Sequence, residues 1–250
     1  YLRTRWRCDD AVRTLRAKVR FHEALEVAAH RSLANFRLPK GATAQHIFAP
    51  GTVEVTLSVD QPPEMVSVWG ALRVYTALGL EHILIGWDHL LFLAALLLIW
   101  PRPKEVLIIV TSFTLAHSMT LALATLDVVR PPDRLVEAVI AGSIAFIAIE
   151  NLLRAEAPRR WMLTFTFGLI HGFGFAGVLR DLGLPPDHLL ASLIAFNVGV
   201  EVGQLLVVAP LLGLLALGRR LPDRTRRRLT QAASLAVLFP ATYWLFERLT

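Results

Sequence analysis

Gly79-Leu-Glu-His-Ile-Leu-Ile-Gly-Trp-Asp-His89 leads directly into an unbroken apolar run from Leu90 to Trp100. Two imidazoles and two carboxylates therefore stand in a stretch that otherwise suits hydrocarbon. Ionisable groups are expensive inside a bilayer, so those found there face a bundle interior or an aqueous path. His82, Asp88 and His89 read as the start of a polar, metal-binding pathway through a membrane bundle.

The bulk composition agrees. With 54% hydrophobic and only 18% charged residues, and a mean hydropathy of +0.51, the chain lies far from an ordinary soluble domain. A net charge of +6 invites comparison with nucleic-acid binders. The basic residues, however, are spread over short loops between apolar segments and form no groove with interleaved aromatics, so they orient a membrane protein and imply no nucleic-acid partner. Cys8 has no partner for an internal disulfide. Position 1 is Tyr, and no charged stretch followed by an apolar one precedes the first polar segment, which suggests a mature or trimmed chain.

The expected fold is an all-α polytopic bundle of six transmembrane helices, preceded by a small β-rich extracytoplasmic region. Residues 1–62 form that region: Thr14 to Phe21 and Thr52 to Val59 alternate apolar and polar residues, and Pro39-Lys40-Gly41 and Pro50-Gly51 signal turns. A helix over Ala11 to Ala29 is the rival reading. Gln61-Pro62-Pro63 marks the boundary, and residues 63–78 make a linker with an interfacial helix from Val66 to Leu78, carrying Trp69, Arg73 and Tyr75. The transmembrane domain occupies 79–250, with spans at 79–100, 105–126, 135–154, 161–179, 188–217 and 229–246, the fifth with room to kink at Pro210. Loops one, three and five hold eleven Lys or Arg residues and loops two and four hold three. The first set is cytoplasmic by the positive-inside rule. Both termini then lie outside a bacterial inner (cytoplasmic) membrane, with the β-rich region periplasmic.

Position converts to depth at about 1.5 Å per helical residue. On that ruler Asp88 and His89 lie roughly 14 Å in, His117 roughly 18 Å, His171 roughly 15 Å and Asn197 roughly 14 Å from the nearer helix start. Four helices thus offer their most ligand-like residues at one level. Imidazole with carboxylate support favours Ni, Co or Zn over Mg or Ca, which prefer oxygen-only sites. In a straight helix His82 and His89 are roughly 10.5 Å apart along the axis. They are accordingly expected to be successive stations, although Gly86 offers a place for the helix to open.

Glu81 and His82, with Glu137, would line an outer vestibule. Glu150 and Asn151, with Glu201 and Gln204 below Asn197, would form the inner exit; Asn197, Glu201 and Gln204 share a helix face at i, i+4, i+7. Thr111, Ser112, Thr114, Ser118 and Thr120 around His117 read as interhelical hydrogen-bond partners, and Gly168-x-x-x-Gly172 and Gly199-x-x-x-Gly203 as close helix contacts. His22, His30, His46 and His188 read as ordinary surface histidines.

Several of these strings resemble one family. His82-Ile-Leu-Ile-Gly86-Trp-Asp88-His89, Ser112-Phe-Thr-Leu-Ala-His117-Ser118, Ile140 to Asn151 with its terminal Glu150-Asn151, Phe167-Gly-Leu-Ile-His171-Gly172 and Phe196-Asn197-Val-Gly199-Val-Glu201 are similar to the HupE/UreJ proteins over roughly residues 66 to 250. The resemblance implies a nickel or cobalt permease, in the branch with an extracytoplasmic N-terminal region. Where that family has Pro after the first His this chain has Ile83, and where it has a second His on the later helix this chain has Phe175. The resemblance thus implies a retuned metal site.

Three functions follow as expectations. The first is a divalent transition-metal permease carrying Ni, Co or Zn, with His82, Asp88, His89, His117 and His171 as ligands; no phosphate-cradling loop is present, so no nucleotide is expected. The second is an accessory, metal-donating subunit with a membrane or periplasmic protein partner. The third is an intramembrane zinc hydrolase, the one enzymatic reading of the three.

Overall fold

The computed structural model describes residues 14–18, 32–37, 43–48, 54–58, 68–154, 159–177, 179 and 188–250. Cys8, His22, His30, the turn signals at 39–41 and 50–51, the Gln61-Pro62-Pro63 boundary, most of the rival helix over 11–29 and the connector 180–187 lie outside these residues. Two compact units divide at Ser67 and Val68.

In the first unit, β1 (Thr14–Lys18) pairs antiparallel with β4 (Glu54–Ser58), Thr14 opposite Ser58 and Lys18 opposite Glu54. β2 (Ser32–Arg37) pairs antiparallel with β3 (Thr43–Phe48), Ser32 opposite Phe48. The outer pair thus joins the two segments whose alternation marks them as strands. Arg16 and Glu54 form an exposed ion pair across it at 3.1 Å.

The second unit is helical: α1 (Val68–Ile85), α2 (Trp87–Leu97), α3 (Pro103–Thr125), α4 (Asp133–Leu153), α5 (Arg160–Gly174), α6 (Leu189–Gly218) and α7 (Asp223–Leu249). Helix starts follow local chemistry. Pro103 occupies the first turn of α3, where its missing N–H is harmless, and Glu105 accepts the Arg102 N–H at 2.7 Å. Pro132 and Pro222 precede α4 and α7, whose first residues Asp133 and Asp223 complement the helix dipole. α6 continues through Pro210 without a break.

Among the described residues, four helices, α3, α4, α6 and α7, are long and apolar enough to cross a membrane, or five if α1 and α2 count as one bent span, where six spans were expected. α5, assigned to the span 161–179, has 15 residues and ends at Gly174. The interfacial helix expected to stop at Leu78 instead runs on to Ile85, because nothing at residues 78–79 interrupts the backbone; the break falls at Gly86, with a 67° bend.

Helices pack as α1 on α6, α3 on α5 and α4 on α7, while α2 is inserted among α4, α6 and α7. In lipid no water-driven force pulls helices together, so close backbone approach and dense packing must do it. Glycines supply that approach here. A side chain on Gly79 would strike the carbonyl of Phe196, and one on Gly199 the carbonyl of Thr76, so α1 and α6 touch backbone to backbone. Gly172 lies against the His117 carbonyl and Thr120 Oγ1, and Gly168 against Phe113 and Ala116, which brings α5 equally close to α3. Phe92, Ile109, Phe113, Ile140, Ile144 and Val237 fill the centre.

Candidate metal centre

Gly86 makes the site. Its backbone, φ −69° and ψ 90°, leaves the helical region, so α1 ends and α2 restarts at an angle. A β-carbon there would face His82 O at 2.8 Å, His89 Nδ1 at 3.0 Å and Asp88 Oδ1 at 3.2 Å. This bend overturns the reading of His82 and His89 as separate stations, which assumed a straight helix. Their ring centroids are 4.6 Å apart.

His89 is the hub. It lies 5.3 Å from the His171 ring on α5 and 5.9 Å from the His117 ring on α3, and His82 lies 6.0 Å from His117. Each of the four rings is anchored differently. Asp88 Oδ1 accepts both the His89 backbone N–H at 2.8 Å and the ring Nδ1 at 2.9 Å. A carboxylate only accepts, so Nδ1 carries the proton and Nε2 keeps its lone pair. On His171, Nε2 lies 3.0 Å from Ser143 Oγ, whose single hydrogen goes to the Ile140 carbonyl at 2.7 Å. Ser143 must therefore accept from Nε2–H, and His171 Nδ1 keeps its lone pair. His117 stacks on Phe113 at 5.6 Å and is held by the α3–α5 contact.

The consequence is a set of buried nitrogens with no hydrogen-bond partner: His82 Nε2, His89 Nε2, both nitrogens of His117 and His171 Nδ1. Buried polar atoms are nearly always satisfied, and such a concentration of exceptions calls for a ligand. Among the described residues, no three His, Cys, Asp or Glu side chains are placed to hold a metal ion as they stand. A small cavity of about 10 Å³ is lined by His89, Thr164 and Gln204 together with apolar side chains such as Phe92 and Val110.

The remaining expected residues divide. Glu81 is half-buried beside His82 on α1, and Asn197 and Glu201 are half-buried on one face of α6. Asn197 spends its amide on the Leu193 carbonyl at 2.8 Å, leaving Oδ1 unpartnered. Gln204 Oε1 accepts from Thr114 Oγ1 at 2.8 Å, joining α6 to α3. Ser118 and Thr120 bond back to carbonyls of their own helix, where bonds between helices were expected.

Glu150 and Asn151 are corrected. Arg160, counted as a loop charge, is 4% exposed and donates to Asn151 Oδ1 at 2.5 Å, Glu150 Oε2 at 3.2 Å and the carbonyls of Ala95 and Leu96 at 3.2 and 2.8 Å. Asn151 Nδ2 also donates to Ala95 O at 2.8 Å. Arg160, held by Glu150, and Asn151 together cap the C-terminal end of α2, where the Ala95 carbonyl otherwise receives only a long 3.4 Å bond from the Leu98 N–H. Glu137 likewise pairs with Arg248 at 3.5 Å, half exposed, tying α4 to α7.

Residues 59–248 match the family described as HupE / UreJ protein. The chain belongs to the HupE/UreJ family. The match takes in every helix of the second unit and all four clustered histidines, so this HupE/UreJ chain is a membrane protein by family and by the apolarity of its helices. Neither the curated proteins nor the solved structures give a match.

Some of the HupE/UreJ site escaped sequence reasoning. Phe113 stands four residues before His117, and Phe92 three after His89, spacings that put each ring on its histidine's face. That signal was available. Ser143 gave none, since its contact crosses from α4 to α5.

Proposed function

We propose that this chain is a divalent transition-metal permease of the nickel or cobalt type, with the ion as substrate. One observation carries the proposal: four imidazoles from α1, α2, α3 and α5 converge, and each keeps at least one buried nitrogen without a hydrogen-bond partner. Borderline ions such as Ni, Co and Zn bind such nitrogens at roughly 2 Å. With ring centroids 4.6 to 6.0 Å apart, the rings would have to turn their free nitrogens toward one another to hold one ion. Asp88 supplies the negative charge and orients His89, as carboxylates behind metal-bound histidines do.

Glu81 would meet the ion first, His82, His89, His117 and His171 would hold it, and Gln204, with Asn197 and Glu201 on the same helix, would receive it beyond the cavity. The accessory-subunit reading predicts binding without transport. The hydrolase reading needs room for a lipid or peptide, and the cavity beside His89 holds about one water.

Uptake of Ni²⁺ or Co²⁺ into proteoliposomes is expected to fall at least tenfold in both His89→Ala and Asp88→Ala. Unchanged uptake in both variants would sink the permease. Metal bound at one equivalent with no uptake by the wild type would select the accessory role.

A further inference from the structure

His82 packs against two phenylalanine rings from separate segments as well as against the histidines of the cluster. Phe175 lies over it with centroids 4.1 Å apart, Phe196 lies 5.6 Å away, and the two phenylalanines stack on each other at 5.2 Å and 15°. His89 meets His82 edge-on, with centroids 4.6 Å apart. Three rings thus pack around His82, and its Nε2 is buried without a partner.

The two phenylalanines are held very differently. Phe196 is fully buried in mid-α6, and its own carbonyl is the one pressed against Gly79. It cannot move without parting α1 from α6. Phe175 is half-buried at the turn that ends α5, with φ −105° and ψ −5°, and follows the exposed Gly174. The helix is interrupted at this residue, although its carbonyl still accepts the Leu179 N–H at 3.1 Å. Turn residues next to small neighbours are where hinge motions concentrate.

We propose that Phe175 is the shutter of the histidine cluster: it swings against the fixed Phe196 to cover or uncover His82, and so sets how fast a solute reaches the cluster. This rests on the permease reading for its purpose, since the solute would be the incoming ion. The ring contributes no lone pair and so is not a ligand. Closed, it keeps water from the free nitrogens; open, it exposes His82 as the first imidazole an ion meets. An aromatic face beside the site also favours a cation over an anion.

Diethyl pyrocarbonate, which acylates accessible imidazole nitrogens, tests this without any metal. The full chain in lipid nanodiscs is treated, and modification of each histidine is followed by peptide mass spectrometry. In Phe175→Ala the rate at His82 is expected to rise at least tenfold over wild type while His117 and His171 change less than twofold. An unchanged His82 rate, or an equal rise at all clustered histidines, would overturn the shutter. If Phe175→Ala does not fold, Phe175→Leu, which keeps most of the volume but loses the ring face, is compared with wild type in the same way, and the same two results would overturn the shutter. Failure of the permease reading would be seen separately, as absent uptake by the wild type, and would leave the His82 rates standing.

Discussion

Ser143 shows how far a single hydroxyl can reach. Its hydrogen is committed to Ile140, so it can only accept, and it thereby fixes which nitrogen of His171 is free. Ser143→Ala would leave His171 Nε2–H buried and unpaired, and the ring would flip or tilt to find another acceptor. Outer partners of metal-binding histidines are typically worth about 10–100-fold in affinity, and a loss in that range is expected for Ni²⁺ or Co²⁺, measured by calorimetry on the purified protein. A wild-type affinity would show that His171 is no ligand. At this scale the sequence was informative about identity and poor on orientation. The costly residues His82, Asp88, His89, His117 and His171 are visible as polar interruptions of apolar runs. Arg160 was not: as a sequence feature it sits at the edge of a loop, and only its hydrogen bonds to the end of α2 reveal it as a buried cap.

Among the elements, the contact of α3 with α5 decides whether His117 and His171 share a neighbourhood. Gly172 has no room for even a methyl group, since the His117 carbonyl and Thr120 Oγ1 occupy the space. Gly142 on α4 is a control, because a β-carbon there meets only Leu245 Cδ1 at 4.0 Å. Overpacking costs about 1–3 kcal/mol, whereas replacing an unhindered helical glycine by alanine gains up to about 1 kcal/mol. The two substitutions are therefore expected to differ in sign: Gly172→Ala lowers unfolding stability in detergent and Gly142→Ala leaves it equal or higher. Equal effects would mean that α3 and α5 do not touch as described. Small-residue spacing made this contact legible in advance. The break at Gly86 was less so, because a helix interrupted by a glycine and one that tolerates it look alike in sequence, and the difference moves His82 from a separate station into the cluster.

For the whole molecule, the number of crossings fixes the side on which each loop lies, and α5 is where the count is decided. Its 15 residues span about 22 Å, short of the ~30 Å of hydrocarbon. Yet Ala176, Gly177 and Leu179 are again helical beyond the turn at Phe175, so the segment has the means to complete a crossing in two pieces, as α1 and α2 do at Gly86. The arginines argue for the same result. Withdrawing Arg160 from the loop count leaves Arg219 and Arg220 between α6 and α7 and Arg224 and Arg228 in the first turns of α7, all exposed, and does not reverse the bias. If α5 crosses, the loops on its two sides face opposite compartments; if it dips in and returns, they face the same one. Alkaline phosphatase is active only where its disulfides form, outside the cytoplasm. Fusions after Arg154 and after Leu221 are expected to be inactive, and fusions after Asp187 and after Thr250 active. Matching activity after Arg154 and Asp187 would make α5 re-entrant, put the C-terminus inside, and leave His171 on a segment entered and left from one side.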